Sequence, residues 1–190
     1  MRLFYTTTTG YNGVQTNPSR SLGGFKSSTP VVNDDFSNLF SNVSILSIKN
    51  GKDEYRGLII KNDFTEGVNN LKLRVRVPEG AICSYRVAVA SLDIVDKYGH
   101  RAMENVAAPT NKPFRAQFMD ATNEEGILMA SELASGAEIG LWICRHIDTT
   151  VAKQQYNDVC VPDPKDPTGR RYIPVEKDTI ESVDFEFIWD

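Results

Sequence analysis

Cys144 and His146 are the residues whose types and spacing come closest to a reactive pair. They lie two residues apart in an apolar stretch with strand character, so their side chains point to the same face of that strand. A cysteine nucleophile needs a lowered thiol pKa and a third group that orients the histidine. The sequence around them indicates neither. We therefore interpret Cys144 as a small core residue and His146 as a residue at a strand end.

The sequence predicts no metal or phosphate site. A zinc site needs about four ligands in closely spaced pairs, whereas the three cysteines and two histidines are scattered. The segment LGGFKSS at 22–28 lacks the residue order of a phosphate-binding loop, and DPKDPTG at 163–169 lacks the spacing of a calcium loop. We expect solvated surface groups rather than an acid–base pair at the acidic pairs Asp34-Asp35, Glu124-Glu125 and Asp184/Glu186. The prediction is no catalytic residue, no metal and no cofactor.

The overall composition argues against several classes of protein. The chain has 190 residues and a formal net charge of −4, and it contains no basic block, which argues against a dedicated nucleic-acid binder. It has no apolar run long enough for a transmembrane helix, and its N-terminus lacks the apolar centre of a signal peptide. Cys83, Cys144 and Cys160 are therefore expected to be reduced thiols in a cytoplasm.

Residues 6–42 differ in composition from the rest of the chain. Ser, Thr, Asn and Gly make up 21 of these 37 residues, so the segment cannot fold alone. Its apolar residues are spaced apart and often large, and a short apolar strand at 3–5 precedes it. We predict an extended arm over 1–42 that lies on its own domain or on a neighbour's. The predicted contact residues are Leu3, Phe4, Tyr5, Leu22, Phe25, Phe36, Leu39 and Phe40.

From residue 43 onward the apolar pattern has a period of two residues, which is typical of β-strands. Seven strands are expected, at 43–48, 54–62, 71–77, 82–93, 114–118, 138–147 and 183–189. The stretch 123–135 is the one compatible with a helix, and we expect a single turn there. Two long connections, at 94–113 and 148–180, interrupt the pattern of strands.

Many short alternating strands with polar turns predict a sandwich or barrel. We predict an all-β fold: an immunoglobulin-like antiparallel sandwich over 43–190, with the extended N-terminal arm over 1–42. Trp189 is expected in the core or at a subunit interface. The residues expected to be nearly inaccessible are Leu58, Ile60, Val87, Leu141, Trp142, Ile143, Phe185 and Phe187.

Three segments, taken in order, resemble structural proteins of tailed bacteriophages. SLGGFKSSTPVVNDDFSNLFSNVS at 21–44 resembles an N-terminal signature in which an arm leads through an Asn-Leu-Phe step into the first strand. EYRGLIIKN at 54–62 resembles the strand that follows, and LASGAEIGLWICRHI at 133–147 resembles a turn and strand with the pattern Trp-Ile-x-Arg. The resemblance is to small virion proteins that form rings or collars, those of crAss-like phages in particular.

The resemblance implies a structural function: a multi-copy ring protein around the portal, neck or tail, assembled through its N-terminal arm in the host cytoplasm and located in the virion. The implied partners are copies of itself and neighbouring portal, neck or tail proteins, with no membrane and no specific nucleic acid. A head-to-tail interface that closes by rotation gives such a ring.

Two other function classes stay open. The chain could be a head-fibre or tail-fibre module that binds a host glycan, and exposed aromatic residues in the long connections (Tyr98, Tyr156 or Tyr172) would favour that function. An enzyme such as a small hydrolase would instead show a clustered pair of perturbed carboxylates in a pocket.

Overall fold

Antiparallel β-strands dominate the described part of the chain. The computed structural model describes residues 1–32, 38–79, 81–148, 160–162, 164–165, 167–168, 172–174 and 183–190. The strands are β1 (Arg2–Thr7), β2 (Gly23–Pro30), β3 (Lys52–Lys61), β4 (Val68–Arg76), β5 (Cys83–Ala90), β6 (Ile94–Val95), β7 (Arg101–Asn105), β8 (Met119–Asp120), β9 (Ile127–Leu133), β10 (Glu138–Ile147), β11 (Cys160–Pro162), β12 (Tyr172–Pro174) and β13 (Asp184–Ile188). A six-residue helix, α1 (Ile45–Asn50), precedes β3, and a 3₁₀ turn (Pro18–Arg20) precedes β2.

The strands form two main sheets. The larger sheet has the order β6-β7-β2-β1-β3-β10-β5-β8, the smaller one has the order β13-β4-β9, and β11 pairs with β12. Every described pairing is antiparallel. At the centre, β3 and β10 pair over ten residues each. The all-β antiparallel fold is therefore confirmed. The larger sheet has eight strands and the smaller one three, whereas a constant-type immunoglobulin domain has sheets of four and three strands.

Apolar side chains lie on both faces of the larger sheet. On β10, Leu141 and Ile143 face the smaller sheet, whereas Trp142 and Cys144 face the opposite side, because successive side chains of a strand alternate. The inner core lies between the two sheets and includes Leu58, Ile60, Leu71, Leu73, Val87, Leu141 and Ile143. The outer cluster includes Tyr55, Ile59, Ala88, Met103, Trp142 and Cys144, and residues of the connection 106–118 cover it.

Most of the predicted core is confirmed. At most 1% of the surface is exposed for six of the predicted residues, Leu58, Ile60, Val87, Leu141, Trp142 and Ile143. Phe185 and Phe187 are only half-buried, because they lie on β13 at the edge of the smaller sheet. Trp189 is 41% exposed and its ring lies against Phe64 with 5.5 Å between centroids, so it is a surface residue.

The N-terminal residues belong to the larger sheet. β1 lies between β2 and β3, and β2 also pairs with β7. The hydroxyls of Thr6 and Ser21 donate hydrogen bonds to the carbonyl of Gly57, at 2.9 and 2.6 Å. The predicted arm is extended but packs on its own domain, which was one of its two expected positions. The boundary predicted at residue 42 therefore does not separate two structural parts.

Two glycines allow this small-residue segment to pair closely. Gly23 and Gly24 have φ angles of +95° and +97°, a region that favours glycine. A Cβ atom at Gly23 would meet the backbone of Glu104 on β7, and one at Gly24 would meet the backbone of Thr7 on β1. The segment is ordered chiefly by main-chain pairing on both sides, so its low content of large apolar residues does not prevent folding.

Three local predictions are wrong. The expected strand at 43–48 is largely the helix α1, which Ser44 caps by accepting the amide of Ser47 at 3.2 Å. The expected helical turn at 123–135 is a turn followed by β9, and the expected strand at 114–118 is a loop. Short apolar runs satisfy helix and strand periods almost equally well, which explains the errors at 43–48 and 123–135.

Deleting residues 1–42 is expected to abolish cooperative folding, because it removes a strand bonded on both sides together with a second strand. Thermal unfolding followed by circular dichroism of the deletion variant should show no sigmoidal transition. Adding the 1–42 peptide in trans is the matched control and should restore a transition. A cooperative melt near the wild-type temperature, without the peptide, would contradict this expectation and favour a detachable arm.

Candidate functional site

The predicted contact residues lie mostly inside their own domain. Tyr5, Leu39 and Phe40 are buried in the inner core. Four others are half-buried: Leu3, Phe4, Leu22 and Phe25. Phe36 lies outside the described residues. Two residues of this set, Leu3 and Leu39, line the same groove beside β13.

Phe40 lies between two buried arginines. The guanidinium carbons of Arg56 on β3 and Arg145 on β10 are 4.8 and 4.7 Å from the centre of its ring, a favourable cation–π arrangement. Arg56 Nε donates to the carbonyl of Leu39 at 2.9 Å, and Arg145 Nη1 donates to that of Ser41 at 2.8 Å. The two central strands therefore hold the connection that follows β2.

One carboxylate balances part of this buried positive charge. Glu54 forms ion pairs with Arg145 and, at 2.8 Å, with Lys52. Burial acts to raise the pKa of Glu54, but the hydrogen bonds from Lys52 and Arg145 outweigh it, and the pKa lies below its usual value. Burial lowers the pKa of Arg56 to about 10, so this guanidinium stays charged at neutral pH. We name Phe40, Arg56, Arg145 and Glu54 the arginine clamp.

Cys144 and His146 have neighbours that the sequence did not reveal. His146 Nδ1 is 2.6 Å from Asp53 Oδ1, and Arg86 Nη2 lies 3.9 Å from the Cys144 sulfur. Cys144 is nevertheless only 1% exposed, and burial raises the pKa of its thiol. Buried thiols with a raised pKa are unreactive. The arrangement agrees with the interpretation of Cys144 as a core residue.

Within the described ranges, no group of three or more His, Cys, Asp and Glu side chains is placed to hold a metal ion. Cys83 and Cys144 are buried and are not joined to each other by a disulfide, and the side chain of Cys160 is not among those that the structure describes. None of the helices in the described residues has the length and apolar character needed to cross a membrane.

A groove of about 590 Å³ lies beside the beginning of β1, the end of β2 and the edge strand β13. Its wall on the larger sheet includes Leu3 and Val31, while Phe185 and Phe187 contribute from β13. Charged side chains from both strands, Arg2 and Asp184, also line it. The groove is thus a surface of mixed polar and apolar character.

Phe114 is the most exposed large apolar side chain among the described residues, at 92%. The carboxylate of Glu104 accepts the backbone amides of Phe114 and Arg115, at 2.8 and 3.2 Å. The preceding Pro113 is buried, and Phe118 packs on the outer cluster. The loop is therefore attached to the domain before and after Phe114, while the Phe114 side chain itself lies in solvent.

A third exposed feature is Tyr98, in the turn between β6 and β7. Tyr98 is 73% exposed, and Asp96 accepts its backbone amide at 2.8 Å. Behind it, the rings of His100 and Tyr11 stack with 4.4 Å between centroids and 3° between planes. Tyr156 lies outside the described residues, and only the backbone of Tyr172 is described, in β12.

No family model, no curated protein and no solved structure matches this chain. The candidates for contact with another molecule are three surface features of the chain: the groove, Phe114 and Tyr98. Phe114 was missed as a surface residue because alternation at 114–118 indicated a strand. The proline before it, within the polar sequence NKPFRAQ, is the signal that indicates a loop.

Glu54→Gln is expected to lower the free energy of unfolding at pH 7 by about 3–5 kcal/mol, because it leaves buried Arg145 without its carboxylate. The pKa of Glu54 is lower in the folded than in the unfolded chain, so its stabilisation is present above the usual value of 4.5 and is lost as pH falls. Urea unfolding of variant and wild type should give curves that converge below pH 4.5.

The matched control is Glu186→Gln, which breaks the exposed ion pair with Arg76 at 3.0 Å. It should cost at most about 1 kcal/mol. Equal costs for the two variants would contradict the assignment of Glu54 to a stabilising buried cluster.

Proposed function

We propose that this protein is a structural virion component of a tailed phage, a multi-copy ring protein around the portal, neck or tail. The observation that carries the proposal is Phe114, an aromatic side chain that is 92% exposed on a loop whose backbone is bonded to Glu104. Aromatic residues are enriched at protein–protein interfaces. In this proposal the partners are copies of the same chain and neighbouring portal, neck or tail proteins, joined in the host cytoplasm.

The resemblance to ring and collar proteins of crAss-like phages supports the class of assembly. Its three segments meet at one place in this fold, because the Asn-Leu-Phe step carries Phe40, EYRG carries Arg56 and Trp-Ile-x-Arg carries Arg145. Three motifs spread over about 110 residues thus meet in one contact cluster, the arginine clamp. This correspondence favours the resemblance as a structural one.

Assembly in this proposal does not require the N-terminal residues to leave their domain. Leu3 and Leu39 are committed to the inner core and the groove wall of their own chain. Residues 1–42 therefore contribute to contacts between copies by forming part of a surface, which differs from the arm exchange expected from composition.

The purified full chain is expected to form closed rings whose mass is an integer multiple of 21.2 kDa. Light scattering coupled to size exclusion gives the mass, and negative-stain electron microscopy gives the symmetry. A chain that stays monomeric at every concentration up to its solubility limit would contradict the ring proposal.

Tyr98 favours the second candidate, a head-fibre or tail-fibre module that binds a host glycan. An exposed aromatic ring can pack on the apolar face of a sugar, with nearby polar groups setting its orientation. On an array of bacterial surface glycans, this function requires binding that Tyr98→Ala abolishes and Phe114→Ala leaves intact. If the protein is instead a ring component, the array should show no glycan binding that Tyr98→Ala abolishes.

A further inference from the structure

We propose that Lys26 and Asn12 become joined by an amide bond within the chain, formed between the Lys26 amine and the side-chain carbonyl carbon of Asn12 with release of ammonia. The observation that carries this inference is the direct contact of the two side chains at a place where Lys26 is only 5% exposed. The inference concerns a covalent modification of a single chain, so it does not depend on the virion proposal.

The backbone holds Asn12 beside Lys26 independently of their side chains. Asn12 lies in the turn 10–13 that follows β1, and its φ angle of +60° is a left-handed conformation in which asparagine is enriched. Its backbone amide donates to the carbonyl of Lys26 at 2.8 Å, and the amide of Ser28 donates to the carbonyl of Gly13 at 3.0 Å. The turn is therefore fixed along β2 at the position of Lys26.

The reacting atoms of the two side chains lie close to reaction distance. Lys26 Nζ is 2.5 Å from Asn12 Oδ1, and it also donates to the carbonyl of Ser27 at 3.2 Å. Because a carbonyl bond is about 1.23 Å long, Nζ is at most about 3.7 Å from Asn12 Cγ, the atom that it attacks. Reacting atoms in a near-attack geometry are about 3–3.5 Å apart, and holding them there within one chain raises the effective concentration of the amine.

The surroundings of Lys26 favour the neutral amine that the reaction needs, because an ammonium group has no lone pair. Nζ lies 4.6 and 4.9 Å from the ring centres of Phe4 and Tyr11. Burial lowers the pKa of Lys26, and this effect outweighs the charge of Glu138, which raises it; the charge of Lys61 lowers it further. Desolvation in apolar surroundings is one way in which proteins activate a lysine as a nucleophile.

The reaction balances without a reagent from outside the chain. The lone pair of Lys26 Nζ attacks Asn12 Cγ, the bond from Cγ to Nδ2 breaks, and Nδ2 leaves as ammonia with the proton that Nζ gives up. Glu138 is the carboxylate that we assign to pass on this proton, because its charge acts on Lys26. The hydroxyl of Tyr11 donates to Glu138 Oε1 at 2.7 Å. Burial and this contact raise the pKa of Tyr11 to about 12, so the hydroxyl stays a donor that positions Glu138.

Mass spectrometry of the full-length chain, after incubation of the folded protein, tests the bond. The intact protein should be lighter than its sequence by the mass of one ammonia molecule. Trypsin should leave the chain uncut after Lys26, so residues 3–20 should stay attached to residues 21–49 as one branched species. A chain that keeps its full mass and releases 21–26 as a free peptide would overturn the proposal.

Two variants separate the amide bond from another loss of ammonia, cyclisation of Asn12 onto the backbone nitrogen of Gly13. Lys26→Arg keeps the charge but supplies a group that cannot be deprotonated, so the full mass should return. Lys97→Arg is the matched control, at a lysine that lies over Tyr98, and it should keep the loss of ammonia. Loss of ammonia that persists in Lys26→Arg would overturn the amide bond.

Further variants test the acceptor carbonyl and the proton transfer. Asn12→Gly removes the carbonyl, fits the positive φ angle and should also restore the full mass, which keeps the test valid if Lys26→Arg does not fold. Glu138→Gln keeps both reacting groups and should slow the appearance of the branched species by roughly 100-fold. An unchanged rate in Glu138→Gln would overturn the assignment of the proton transfer to Glu138. Cooperative thermal unfolding of each variant checks its fold.

Discussion

The contact of Phe40 with the buried Arg56 and Arg145 ties the chain before α1 to the two central strands of the larger sheet. Two buried guanidinium groups on adjacent central strands would cost several kcal/mol each without partners. The carboxylate of Glu54, the carbonyls of residues 39 and 41 and the Phe40 ring supply those partners. Residues 39–41 are thereby fixed to the middle of the larger sheet.

The arginine clamp also gives a physical meaning to three short motifs that are weak one by one. Asn-Leu-Phe, Tyr-Arg-Gly and Trp-Ile-x-Arg are far apart in the chain and adjacent in the fold, because β3 and β10 pair in register and Phe40 folds over both. In this fold the aromatic residue and the two arginines of these motifs meet in one buried cluster.

The larger sheet has two apolar faces, and this property determines which surfaces remain for partners. The inner core is covered by the smaller sheet and the outer cluster by the connection 106–118. Among the described residues, the groove lies beside β13, and Phe114 is exposed in the covering loop. The N-terminal strands pair with neighbouring strands of the same sheet, so a contact at either place would need no rearrangement of them.

The amino-acid sequence by itself determined the strands whose apolar residues alternate or run continuously, β3, β4, β5, β10 and β13, and the burial of Trp142, because these patterns are local. It also indicated that 1–42 would be extended. Only the tertiary structure decided that this segment forms strands of the larger sheet, since its partners on β3 and β7 are about 55 to 80 residues away and the segment lacks a strong apolar pattern. The exposure of Phe114 was likewise a tertiary outcome, because the carboxylate of Glu104 holds that backbone in a loop while Pro113 is buried and Phe118 packs on the outer cluster.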